Sequence, residues 1–201
     1  ENVDLGDPYT FVMKDGSLMT LICHDGCLTI VGKEEFEEVD RAINSTLGPF
    51  IAAGGHAVQM VFTVDPDATE RDIRHAQQPS RDTAARLQID LTDMFEEEVV
   101  RFREVCSSEA CHLALFTRAG SLHPTEQKQD ADAAKELFHD KPLPRASDAP
   151  ALFRARRALR PRHESFVSAV LTELQRLKMD CRKLEVHEAC REIRRSIDPE
   201  F

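Results

Sequence analysis

Six cysteines and eight histidines carry most of the reactive chemistry that this 201-residue chain has to offer. Cys23 and Cys27, in Cys23-His24-Asp25-Gly26-Cys27, have a spacing that structural zinc sites use. Asp25-Gly26 is also the dipeptide of a tight hairpin turn, and a turn explains that spacing without a metal. Cys106 with Cys111, and His187-Glu188-Ala189-Cys190, are looser arrangements of the same residue types. His187-Glu188 begins a helical zinc-protease motif, but Arg191 stands where its second histidine belongs. Cys111 and His112 are neighbours, and neighbours on a strand point to opposite faces, so neither can activate the other. A thiol or zinc enzyme is therefore the third of three readings. No catalytic, cofactor-binding or metal-ligating residue is expected.

Phosphate chemistry is equally unsupported. The chain has no G-x-x-x-x-G-K-[ST] loop, no G-x-G-x-x-G turn and no G-x-S-x-G elbow, and Gly54-Gly55 lacks the following lysine. The acidic group Asp93, Glu96, Glu97 and Glu98 reads as the solvated face of a helix rather than a cation site. The sharper feature is basic. Arg154, Arg156, Arg157, Arg160 and Arg162 place five arginines in nine residues beside a proline-rich stretch. Such a segment suits an acidic protein surface, anionic lipid or nucleic-acid phosphate, or the chain's own acidic part within or between subunits. These five are the candidate partner-binding residues.

Charge decides among those partners. The net formal charge is −10, with 20 acidic and 7 basic groups in residues 1–100 against 16 and 19 in residues 101–201. A chain this acidic is a poor general nucleic-acid coat, because neutralising phosphate needs a concentrated cationic surface. With one tyrosine and no tryptophan, the strands lack interleaved surface aromatics, which argues against a base-stacking platform of the RNA-recognition type. Forty-one per cent apolar residues suffice for a globular core without disulfide staples, so the cysteines are expected as reduced thiols in a cytoplasmic protein. No apolar run approaches the ~20 residues needed to span a bilayer. The opening at Glu1, with no signal segment, reads as a piece of a longer protein.

The elements that must position these groups follow from periodicity. Tyr9 to Lys14, Leu18 to Cys23 and Cys27 to Val31, separated by Asp15-Gly16 and Asp25-Gly26, predict a three-stranded meander. Phe36, Val39, Ile43 and Leu47 predict a helix from Lys33, ended by Gly48-Pro49. His56 to Val64 alternates as a strand. A short helix from about Asp67 is expected to break at Pro79, with Ser80 capping a long helix through Val105. Cys111 to Thr117 is the next strand. Thr125 to His139 is helix-prone, and the prolines from Pro142 to Pro150 mark a linker. Leu152 to Leu159 reads as a basic helix ended near Pro161. Glu164 to Met179 is an amphipathic helix, Arg182 to Val186 a strand and Glu188 to Ile197 a final helix.

The expected fold is α+β: a mainly antiparallel sheet led by the meander, helices packed on one face and a helical C-terminal part. Three segments are expected: a sheet domain over 1–120, a polar, proline-rich linker with the basic helix over 121–163, and a helix–strand–helix over 164–201 packing back on the domain.

This order of motifs resembles a known family. Thr10-Phe11-Val12-Met13-Lys14-Asp15-Gly16-Ser17-Leu18, the strands around Asp25-Gly26, Gly32 and the acidic helix are similar to the N-terminal domain of the large, VirB-four-like ATPases of bacterial type IV secretion and conjugation machines. His56-Ala57-Val58-Gln59-Met60 and Leu113-Ala114-Leu115-Phe116-Thr117 resemble that domain's later strands. Phe166 to Leu177, Leu184, Ala189 to Ile197 and Asp198-Pro199 resemble its closing helix, strand, helix and Asn-Pro boundary, with Asp198 in place of asparagine. The Dot/Icm or IncI-plasmid branch is the nearest in character, and residues 120–163 match no feature of it.

The resemblance implies a non-catalytic docking and assembly domain, because the family binds ATP in a C-terminal RecA-like domain that this chain lacks. No cofactor is expected here. The implied partners are inner-membrane components of the secretion system and neighbouring ATPase subunits in a homo-oligomer. The implied location is cytoplasmic, peripheral at the inner membrane. The competing reading is an α/β adaptor that contacts nucleic acid through Arg154–Arg162.

Overall fold

The computed structural model describes residues 7–29, 32–138, 151 and 155–197. Its first hairpin forms where Asp15-Gly16 places it. Strand β1 (Thr10–Val12) pairs antiparallel with β2 (Leu18–Cys27), Thr10 opposite Thr20. The Asp15 carboxylate accepts from both the backbone N–H and the hydroxyl of Ser17, which locks the turn. β2 is the organising strand. One edge pairs with β4 (Ser108–Thr117), His24 lying opposite Cys111. The other edge holds β1 and then β5 (Met179–Lys183), with His24 opposite Cys181. β3 (His56–Asp65) lies beyond β4, completing a five-stranded sheet.

The fold class is therefore the expected α+β, but the meander's third strand is not separate. Asp25-Gly26 makes no turn: β2 continues to Cys27, and the register against β5 shifts between His24 and Gly26. Gly26 has φ +128°. Positive φ at glycine serves a bulge as well as a hairpin, and the edge offered by β5 selects the bulge. Of the expected strand beyond Cys27, Ile30 and Val31 lie outside the described residues.

Helices cover both faces of the sheet rather than one. On the first face, α5 (Leu159–Arg176) buries Phe166, Val167, Val170 and Leu174 against Ile22, Leu115 and Cys181, and α1 (Lys33–Ala53) adds Ile43, Leu47 and Phe50. On the other face, α6 (Val186–Ile197) lays Ala189 and Ile193 against Met19, Leu21, Cys23 and Ala114. Period-two alternation along β2 is what sends Ile22 to one layer and Leu21 to the other. The C-terminal helix–strand–helix thus packs back on the sheet.

Prolines do not end helices where expected. α1 runs through Gly48-Pro49 to Ala53, because Phe50 packs at 4.9 Å on the ring of Phe166 and holds the last turn in place. Pro161 lies in the first turn of α5, where an N–H has no intrahelical partner to lose. The stretch 121–163, expected as linker and basic helix, contains α4 (Pro124–Phe138) and the start of α5, and it buries Leu122, Ala155 and Leu159. Residues 139–150, with most of the proline-rich stretch, lie outside the described residues, as do Asp198 and Pro199.

The chain divides into two compact units, one from residues 1–61 with 111–201 and one from 62–110. The second is largely a helical hairpin. α2 (Thr69–Leu87) passes through Pro79, and the break falls instead at Gln88, which adopts a left-handed φ of +57° before α3 (Thr92–Val105). Glu96 of α3 binds both Arg74 and Arg81 of α2, and Gln77 donates to Glu98. Those acidic residues clamp two helices, beyond the solvated face expected of them. No helix among the described residues is long and apolar enough to cross a membrane.

Candidate functional site

The start of α5, the β1–β2 turn and the end of β4 bring arginines from separate segments together at one end of the first unit. Arg154 lies outside the described residues. Arg156 lays its guanidinium on Gly16, so close that an added Cβ there would stand 2.0 Å from Nη2. A side chain at position 16 would push it away. Arg118, just past β4 and exposed, lies within electrostatic reach of Asp15 in the same turn. Arg157 is exposed. Arg160 approaches Glu164, and Arg162 approaches Glu126, each at 4.0 Å. Four of the five expected partner-binding residues are thus placed at this end, joined by Arg118, which the local sequence did not single out.

A buried polar chain lies beneath this surface. His163 of α5 bonds Thr20 of β2 through Nε2 at 2.9 Å and Thr117 of β4 through Nδ1 at 2.9 Å. His56 reaches the same Thr117 hydroxyl at 3.2 Å, and Thr20 meets Thr10 at 3.4 Å. Both ring nitrogens of His163 are therefore satisfied. One donates to a threonine, and the other accepts from the second threonine's hydroxyl. Burial pushes the His163 pKa down to about 4. His56 is also lowered, by burial first and by Arg162 second. A neutral imidazole tying a helix to two strands positions the arginine-bearing turn of α5. No sequence signal announced it, since only tertiary structure brings Thr20, Thr117 and His163 together.

The thiols have a different character. Cys23 is buried against α6 and donates to Asp25 at 3.0 Å, while Cys27, past the bulge, is exposed. The pair does not converge. Burial first, and then Asp25, push the Cys23 thiol up to about 12; burial and Asp180 push Cys181 up to about 11. Raised thiol pKa values mean little thiolate and low nucleophilicity. Among the described residues, no group of three or more His, Cys, Asp and Glu is arranged to hold a metal ion.

The acidic start of α1 lies at the far end of α5. Phe50, near the end of α1, packs on Phe166 in the first half of α5, while Glu38, near the start of α1, faces Arg176 at the end of α5 electrostatically. The two helices are therefore antiparallel. The exposed carboxylates Glu34, Glu35, Glu37, Glu38 and Asp40 lie near the start of α1, interspersed with Lys33 and Arg41 and within reach of Arg176. No protein-family model, curated protein or solved structure matches the chain.

Proposed function

We propose that the chain is a non-catalytic docking and assembly domain of the kind that begins the large type IV secretion ATPases. It would position the motor at the cytoplasmic face of the inner-membrane complex for protein or DNA transfer. The observation that carries this reading is the closure of the sheet. β5 pairs with β2 next to β1, so the C-terminal helix–strand–helix completes the body begun by the N-terminal hairpin. Of the order of elements on which the resemblance rests, the first hairpin, the acidic helix and the closing helix–strand–helix are present, whereas the strand after Asp25-Gly26 is a continuation of β2. The groups with chemical potential favour binding over turnover: the central histidine is held neutral by burial and the buried thiols are raised. Apolar side chains left in water, among them Phe62, Met94, Phe102 and Val105 of the second unit, are suited to partner contact.

Two measurements test the proposal. The purified chain is expected to show no ATP turnover above buffer. Expressed with an affinity tag in cells that carry an assembled type IV secretion machine, it is expected to co-purify with inner-membrane components from detergent extracts. ATP hydrolysis that tracks the chain through purification would overturn the non-catalytic reading. Loss of every inner-membrane component from the purified material would overturn the docking reading.

A further inference from the structure

On the outward face of α3, in the second unit, we infer a docking site for a basic amphipathic helix of a partner protein. α3 buries Phe95 and Val99 but leaves Met94 53%, Phe102 42% and Val105 78% exposed. At about 100° per residue these three fall within an arc of about 80°, beside the buried pair. The row runs along about three turns of helix, or ~17 Å. A single exposed apolar side chain is ordinary, whereas a row of them on one element is a surface suited to contact. Positions 94, 102 and 105 repeat with the period of a helix, so the element that matches them lengthwise is another helix.

Charge selects the occupant. Residues 62–110 carry 12 acidic and 6 basic groups, and Arg71, Arg74, Arg81 and Arg103 are already paired with carboxylates of the same unit. Asp93, Glu97 and Glu104 of α3 are exposed and have no ion pair among the described residues. Helix periodicity sets them along the outer edge of the apolar row. Glu98, within the row, meets the neutral Gln77. Arg101 is the opposing cation on this face, so four carboxylates surround the row against one guanidinium. A helix with an apolar stripe flanked by lysine or arginine answers both features. Anionic lipid or nucleic acid would bring phosphate against these carboxylates, and a second copy of α3 would bring carboxylates against their like. Met94 adds an unbranched, polarisable side chain that adapts to the shape of the helix laid on it.

The inference rests on the docking reading for the existence of a partner, and the two can fail separately. The probe is a synthetic, fluorescently labelled peptide of leucine and lysine, about four turns long, with its leucines on one helical stripe. Its anisotropy is followed as the purified chain is added at about 0.15 M salt, where charges more than ~8 Å apart are largely screened. Saturable binding is expected. Met94→Ser with Val105→Ser, and separately Glu97→Gln with Glu104→Gln, are each expected to weaken it at least about tenfold. Arg101→Gln is expected to tighten it. A peptide of the same composition with its leucines scattered around the helix is expected not to bind, and that comparison needs no variant of the chain.

The substituted side chains are exposed, and unchanged far-UV circular dichroism identifies folded variants. Absence of saturable binding overturns the site, even where co-purification with inner-membrane components still holds. Equal binding of the scattered peptide overturns it, as does binding that both folded double variants leave unchanged. A native chain that floats with lipid vesicles, or self-associates, through Met94 and Val105 assigns the row to another occupant and overturns it too. Binding with the expected losses supports the site even if no inner-membrane component co-purifies, in which case the docking reading fails alone.

Discussion

Asp130 of α4 accepts the main-chain N–H of Leu159 at 3.3 Å, capping a helix that begins 29 residues further along the chain. Its other carboxylate oxygen takes the N–H of Ala158 at 3.2 Å. The first turn of a helix leaves N–H groups without partners, and here both the carboxylate and Leu159 are buried. Asp130→Ala is expected to lower stability by about 1–2 kcal/mol. Asp130→Asn, which keeps an acceptor, should retain part of it. Urea unfolding followed by circular dichroism reads the difference, and an Asp130→Ala midpoint equal to the native one would show that α5 does not use this cap.

His163 makes stability depend on pH. Burial lowers its pKa from 6.5 to about 4 in the folded chain. Between these values the unfolded chain binds the extra proton and the folded chain does not. Stability from this group is therefore intact above about pH 6.5 and declines as pH falls toward 4, by about 3 kcal/mol across the whole window. His56 acts in the same direction. His163→Gln, which can still donate and accept, should unfold with a shallower pH dependence. The measurement is the urea midpoint at pH 7 and pH 5. Equal native and variant slopes would remove His163 as the source.

Local sequence was enough wherever one segment alone decides the structure. Asp15-Gly16 gave its hairpin, and the spacing of Phe166, Val170 and Leu174 marked the buried stripe of α5. Asp25-Gly26 misled because the dipeptide reports a positive φ, and whether that φ makes a turn or a bulge depends on β5, far away in the chain. Pro49, Pro79 and Pro161 read as helix ends in the sequence because proline removes a hydrogen bond, yet α1 and α2 continue through the first two and Pro161 stands in the first turn of α5. Four described arginines of the candidate surface were legible as a run. Arg118 was not, since only the course of β4 brings it to Asp15.

Thiol reactivity should separate the cysteines by burial. Cys27, Cys106 and Cys190 are exposed, whereas Cys23 and Cys181 are buried with raised pKa values. Thiolate is the reacting form, so iodoacetamide at pH 8 is expected to modify the exposed group first and to reach Cys23 and Cys181 only after denaturant is added. Peptide mass mapping over a time course reads the order. Early alkylation of Cys23 would mean that the α6 layer opens under native conditions.

Pro79 offers a direct test of the continuous α2. It lies in the interior of Thr69–Leu87 and is exposed. Proline there has no N–H to give to the carbonyl of His75, and its ring crowds that turn. In an exposed helix interior alanine is favoured over proline by about 3 kcal/mol, a gain reduced by the greater freedom that alanine gives the unfolded chain. Pro79→Ala is therefore expected to raise stability by about 1–2 kcal/mol. Clamping of α2 to α3 by Glu96, through Arg74 and Arg81 on either side of position 79, is compatible with a straight segment between them. A helix broken at position 79 makes the opposite forecast: proline would suit the break, and alanine would leave stability unchanged or lower it. Thermal unfolding of the native chain and of Pro79→Ala under identical conditions distinguishes the two, and an unchanged or lower midpoint would place the break back at the proline.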